Sequence, residues 1–164
     1  MSSSKAEAGR TVLILRALGI GDLLTAVPAL RAIAGAYPDH HRVLATQPKL
    51  TGLAVALGAV DEVVDAGTYL GRWPAVRPAP EVCVNLHSAS PTTYRLLLAT
   101  GPSVLIGYRN PEVRQTLAFP ELRDGEHEVE RWCRVLAERG IDVDPTALDI
   151  ELPPGPVPEG ARGG

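Results

Sequence analysis

The run Thr11-Val12-Leu13-Ile14-Leu15, closed by Arg16 and followed by Leu18-Gly19-Ile20-Gly21-Asp22, constrains this chain more than any other feature. The run is far too short to span a membrane, which takes roughly 20 apolar residues, or to serve as the apolar stretch of a signal peptide. It suits a strand buried on both faces, the kind that parallel sheets are made of. A helical pattern follows, with Leu23, Val27, Leu30 and Ala34 on one face and Pro38 closing it. Pro28 lies inside that pattern, and proline disrupts a helix interior but is harmless in a first turn. Either the helix starts at Asp22 and bends at Pro28, or Thr25 caps a later start.

The alternation repeats. Strands are predicted at Arg42–Thr46, Glu62–Val64, Val82–Leu86 and Val104–Ile106. Between them lie a helix face of Leu50, Leu53, Ala54 and Leu57 ending at Gly58, and one of Tyr94, Leu97 and Leu98 opened by Ser90-Pro91. Thr68–Pro80, with Gly71, Pro74, Pro78 and Pro80, reads as a loop, and Pro111–Arg123 carries no clear pattern. The clearest helix has Val129, Trp132, Cys133, Leu136 and Ala137 on its apolar face. Asp124 is its expected N-cap, Gly140 its stop, and Glu130–Arg134 an expected pair on the solvent side. Strands alternating with helices predict an α/β, Rossmann-like parallel sheet with helices on both faces. The expected organisation is a flexible tail over residues 1–10, one domain over 11–152 and a Pro/Gly-rich linker over 153–164, as if the chain were cut from a longer one.

Composition excludes several classes. A net charge of -3 argues against a nucleic-acid partner. Cys83 and Cys133 stand far apart in apolar settings, which predicts buried free thiols rather than a disulfide framework. No signal peptide is visible, so a cytoplasmic place is expected, with a peripheral membrane contact left open.

Ligands of open parallel sheets bind outside the carboxyl ends of the strands. That rule selects Arg16 to Asp22, Thr46, His87-Ser88 and Gly107 to Arg109. Gly19 and Gly21 allow a tight turn and close approach by a ligand. A dinucleotide fingerprint would need a third glycine where Leu24 stands, and Asp22 would repel the phosphate. An NAD site is therefore rejected. Asp22 has two readings: a general base that accepts a hydroxyl proton at the mouth of the turn, or a plain N-cap. Arg16 and Arg109 could contact an anionic ligand or be ordinary surface arginines, and His87 and Ser88 could line a pocket. His127-Glu128-x-x-Arg131 lacks the second histidine of a zinc motif, so no metal site is expected.

The run from Val12 to Leu24, with Pro28-Ala29-Leu30-Arg31 one turn on, resembles the opening of family 9 glycosyltransferases, which include the ADP-heptose:lipopolysaccharide heptosyltransferases. The similarity continues through Val60–Val64, Val84-Asn85-Leu86-His87 and His127–Trp132. It implies a GT-B architecture of two Rossmann-like domains, the first holding the acceptor and the second the donor. It also implies inverting, single-displacement, metal-independent sugar transfer without a cofactor. The donor would be a nucleotide-sugar such as ADP-heptose and the acceptor a glycan or glycolipid hydroxyl, as in lipopolysaccharide biosynthesis. The aspartate of the Gly-Asp motif, here Asp22, would be the base, with Gly19, Gly21, Arg16, His87, Ser88 and Arg109 around the substrates. A donor-binding C-terminal domain is expected to be missing, which would leave this chain inactive alone. The alternative is a non-catalytic ligand-binding module, or a subunit completed by a separate chain.

Overall fold

The computed structural model describes residues 9–67 and 76–151. Residues 1–8 of the predicted tail, most of the loop from Thr68 and the Pro/Gly-rich end lie outside them, while Arg10 at the end of that tail is described and pairs with Glu81 at 3.0 Å. The elements are β1 (Thr11–Leu15), α1 (Ile20–Thr25), α2 (Val27–Ala36), β2 (His41–Thr46), α3 (Thr51–Ala56), β3 (Glu62–Asp65), β4 (Val82–Asn85), α4 (Pro91–Leu98), β5 (Val104–Ile106) and α5 (Glu128–Ala137). Short 3-10 turns stand at Pro48–Leu50 and Arg114–Thr116.

The five strands form one sheet in the order β3-β2-β1-β4-β5. Every neighbouring pair is parallel. β1 is the central strand, and its apolar run is sealed from both sides, as a continuous run requires. Side chains alternate across the sheet. Val12, Ile14, Leu44, Val84 and Ile106 face Leu30 and Ile33 of α2, Ala54 of α3 and Trp132 and Leu136 of α5. Leu13, Leu15, Val43 and Cys83 face Leu97 of α4 on the other side. Helices thus cover both faces. Cys83 and Cys133 are buried free thiols, each pushed up to about 11 by burial.

The chain order has a consequence for ligands. From β1 the sheet grows through β2 and β3 in one direction, then returns to add β4 and β5 on the other side of β1. The switch lies between β1 and β4, and the crevice outside their carboxyl ends is where open α/β sheets bind ligands.

The helix after β1 resolves the ambiguity at Pro28. Pro28 has no N–H and its ring would strike the carbonyl of Leu24, so one continuous helix is excluded. Ala26 ends α1 and caps α2, and Pro28 falls in the first turn of α2. Thr25 is not the cap. Its hydroxyl instead donates to the Asp22 carbonyl at 3.0 Å. Nor does the helix begin at Asp22: Gly19 is the N-cap and α1 starts at Ile20.

The start of α5 also differs from expectation. His127 caps it, Nδ1 accepting from the Val129 amide at 3.3 Å, rather than Asp124. Gly125, at φ 72°, interrupts helical geometry between the two. Arg134 does not close on Glu130. It turns back onto Glu126 with two N–H groups, at 2.6 and 2.9 Å, and also reaches Glu138 at 3.2 Å. A guanidinium fork facing a carboxylate outcompetes a single contact one turn away. Ala137 is exposed, and Val135 is buried beside the predicted core positions. Ser90 caps α4 as predicted, its hydroxyl accepting from the Thr93 amide at 3.3 Å.

Candidate active site

Two chain segments meet at the switch point. Residues 16–25 leave β1 and residues 86–90 leave β4. The β ladder continues one residue past each strand: the Arg16 amide donates to Ala45 O and the Leu86 amide to Leu15 O, both at 3.0 Å. The Arg16 side chain therefore starts from a fixed backbone.

Among the described residues, Arg16 is the largest fully buried side chain, 1% exposed. Its Nη1 donates to the Leu86 carbonyl at 2.6 Å, its Nε to the Asp22 carbonyl at 2.9 Å and its Nη2 to the Thr25 hydroxyl at 3.3 Å. The guanidinium carbon lies 4.9 Å from the centre of the Trp132 ring, within cation–π range. Two carboxylates flank it, Asp22 Oδ1 at 3.6 Å and Glu128 Oε2 at 3.5 Å. Burial pulls the guanidinium below its ordinary range, and those two carboxylates oppose the shift. Arg16 joins the ends of β1 and β4 to α1 and α5. It is a frame beneath the site rather than the open ligand contact expected from sequence, because its donors are already committed inside the fold.

Asp22 sits at the third position of α1. Its Oδ2 accepts from the Gly19 amide at 3.1 Å, the back half of a capping box. Oδ1 is the oxygen turned to Arg16, at ion-pair distance rather than in a short hydrogen bond. The side chain is 42% exposed, so the carboxylate is oriented from below and reachable from above. Gly19 and Gly21 do not provide the positive φ of a tight turn. They leave the approach clear: a Cβ at Gly21 would meet nothing within 4 Å, and one at Gly19 would meet only Asp22 Oδ2, at 3.7 Å. Ile20 stands between them, 58% exposed.

His87 reaches the same turn from β4. Its Nδ1 accepts from the Ala17 amide at 3.3 Å. Burial pushes the imidazole below its ordinary range, Arg16 adds to this, and Asp22 opposes it. Ser88 faces elsewhere: its hydroxyl is within 3.2 to 3.4 Å of Ser90 and Thr93 at the cap of α4. Arg109 also stays apart, its charge met by Glu121 at 2.7 Å and its amide by Pro120 O at 2.8 Å. The structure thus gathers Arg16, Gly19, Asp22 and His87, and ties Ser88 and Arg109 to other partners.

Two members, Asn85 and Glu128, lie in segments that carry the family resemblance but are not singled out there as site residues. Glu128 bonds to the Trp132 indole N–H at 2.9 Å, pairs with Arg131 and completes the flank of Arg16. Asn85, buried at the end of β4, shapes the His87 loop. The signal for Asn85 was an uncharged polar residue closing an otherwise apolar strand. Glu128 reads only as part of a rejected zinc motif and of a segment resembling the family, and as a glutamate in a first helical turn it is otherwise ordinary.

A cavity of about 410 Å³ lies away from this cluster, lined by Arg31, Ala56, Leu57, Asp149 and Glu151. Arg31 spends its guanidinium on the carbonyls of Ala147 and Asp149, fastening the last described segment to α2. The cluster at the switch point is therefore the candidate site. Among the described residues, no group of three or more His, Cys, Asp or Glu could hold a metal ion, and no helix is long and apolar enough to cross a membrane.

Neither a family model nor a curated protein sequence matches the chain. Solved structures do. A family 9 glycosyl transferase from Veillonella parvula superposes with a TM-score of 0.66 at 19% identity, over 88% of this chain and 46% of that one. The E. coli heptosyltransferase WaaC with ADP-2-deoxy-2-fluoro heptose gives 0.62 at 18%, over 85% and 51%. E. coli ADP-heptose lps heptosyltransferase II gives 0.56 at 16%, over 76% and 39%. The chain has the fold of the N-terminal portion of family 9 glycosyltransferases. It spans about half the length of these structures. In this glycosyltransferase-like fold, the Gly-Asp turn occupies the β1 side of the switch point and His87 the β4 side.

Proposed function

We propose that this chain is the acceptor-side half of an inverting, metal-independent sugar transferase with Asp22 as its general base. One observation carries the reading: Asp22 holds a half-exposed carboxylate, fixed by the Gly19 amide and Arg16, at the ligand-binding crevice of the fold. An acceptor hydroxyl on a glycan or glycolipid would give its proton to Oδ1 as its oxygen attacks the anomeric carbon. The bond from that carbon to the diphosphate would break on the far side, its electron pair leaving with the nucleotide. Arg16 is enclosed, so the leaving charge would be met by a second domain that also holds a nucleotide-sugar donor. WaaC has been solved with ADP and with an ADP-heptose analogue, which supports a donor of that class. A cytoplasmic place belongs to the same proposal.

In the protein read through to its donor-binding half, Asp22→Asn should lower kcat by about 10²- to 10⁴-fold, the usual worth of a general base. Unchanged kcat would remove Asp22 from the mechanism. Turnover by the purified chain alone, lost in Asp22→Ala, would keep the base and remove the half-enzyme claim.

A further inference from the structure

The loop after β4 holds His87 in one protonation pattern. Asn85 fixes the backbone: its Oδ1 accepts from the amides of His87 at 3.1 Å and Ser88 at 3.3 Å, while its Nδ2 donates to the Thr93 hydroxyl at 3.1 Å. The ring is fixed next. An amide can donate to Nδ1 only where that nitrogen carries a lone pair. The Ala17 amide does so, and the neutral ring must then carry its proton on Nε2. Burial and the charge of Arg16 both disfavour a second proton. Among the described residues Nε2 has no hydrogen-bond partner, and it is not among the sealed polar atoms.

Asp22 and His87 are fastened to one turn. The Ala17 amide holds His87 and the Gly19 amide holds Asp22. Amides two residues apart lie within about 7 Å of each other. The first side chain has only a donor left free, and the second only acceptors. A phosphate oxygen would suit His87 but be repelled by Asp22. A hydroxyl suits both, because it donates one hydrogen and accepts through two lone pairs.

We propose that His87 Nε2–H is a fixed neutral donor to the oxygen of the ligand hydroxyl whose hydrogen points at Asp22. This rests on the sugar-transfer reading, in which that hydroxyl is the acceptor's. His87 would take one lone pair of the oxygen and leave the other free to attack. Its role is to select and aim a hydroxyl, with no proton exchanged by the ring.

The test begins on the ¹⁵N-labelled chain. Long-range ¹H–¹⁵N correlation at pH 7 should show Nε2 protonated and Nδ1 bare. A proton on Nδ1, or a doubly protonated ring, overturns the inference and leaves the role of Asp22 standing. Titration with a plain methyl pyranoside should shift His87 Nε2 and the Gly19 amide together. Two variants separate reach from folding. Glutamine can place its amide N–H near the Nε2 position, whereas asparagine can satisfy Ala17 but falls short of the ligand. His87→Gln should therefore bind the pyranoside within about threefold of the parent and His87→Asn about tenfold more weakly, the worth of one hydrogen bond. Equal binding by the two variants, or a shift at Gly19 without one at His87, overturns the inference alone. A shift at neither overturns it together with the sugar-transfer reading. A larger Nε2 response to inorganic phosphate than to the pyranoside overturns the hydroxyl assignment.

Discussion

Two buried arginines stand at opposite ends of the same sheet and treat their carboxylates differently. Arg42 enters β2 at the amino end. Its Nε and Nη2 meet the two oxygens of Asp61 at 3.2 and 3.3 Å, and the Arg42 amide adds a third bond at 2.9 Å. Fork and carboxylate close on each other, as bidentate pairs do. Arg16 leaves β1 at the carboxyl end and gives its two short bonds to carbonyls, with a longer one of 3.3 Å to the Thr25 hydroxyl. Asp22 stands off at 3.6 Å and Glu128 accepts only one long bond from Nη2 at 3.5 Å, the two side chains 42% and 38% exposed. One arginine consumes a carboxylate to fasten the fold, and the other supports one that stays available. The available one lies at the rim where parallel sheets bind ligands.

The hardest test of this contrast removes the frame. Arg16→Met should leave the buried Leu86 carbonyl without the Arg16 donor, while the Asp22 carbonyl loses one donor and keeps the Thr25 hydroxyl. The ion-pair share is small, since both carboxylates are more than a third exposed and can rehydrate. The expected loss is about 3 kcal/mol, mostly from the unmet Leu86 carbonyl and the lost contact with the Trp132 ring, read as a lower urea midpoint at unchanged slope. A loss under about 0.5 kcal/mol, the scale of an ordinary surface change, would mean that Arg16 frames nothing.

The carboxylates should separate next. Asp61→Asn breaks a charge-assisted fork and should cost about 2 kcal/mol. Asp22→Asn keeps an oxygen for the Gly19 amide and loses only a screened ion pair, so about 0.5 kcal/mol is expected. Equal losses in thermal or urea unfolding would erase the distinction between the two rims. The expected pattern leaves Asp22→Asn folded, so that its effect on activity can be read as chemistry.

The amino-end clasp and the carboxyl-end site were not equally legible in sequence. The five strands emerged nearly to the residue because runs such as Thr11–Leu15 and Val82–Asn85 are sealed on both faces, and few other local structures demand that. Asp22 emerged because a Gly-Asp turn after a strand is a local pattern. Arg16 could not be judged the same way. A lone arginine at a strand end looks alike whether it faces water or interior, and what decides is Trp132 and Glu128, more than a hundred residues on. The Arg42–Asp61 clasp escaped for the same reason, and so did the turn of Arg134 onto Glu126. Helix starts were missed by a few residues where two polar residues competed as caps, as Asp124 and His127 did.

The smallest expected effect tests whether the charge of Arg16 reaches the β4 side of the site. His87 titrates below its ordinary 6.5 in the folded protein, through burial and Arg16, with Asp22 opposing. In the unfolded chain it returns to the ordinary value. Between the two midpoints the unfolded state binds more protons, so stability rises with pH there. The contribution of a neutral His87 is therefore complete above pH 6.5 and is lost as pH falls through the folded midpoint. His87→Gln has no such proton, and the difference in unfolding free energy between parent and variant should shrink from pH 7.5 toward pH 5. His40, His41 and His127 remain in both proteins and cancel in that difference. A gap that widens on acidification would reverse the sign and detach His87 from the buried guanidinium. A gap that shrinks in the Arg16→Met background as steeply as in the parent would show that burial alone holds the ring neutral.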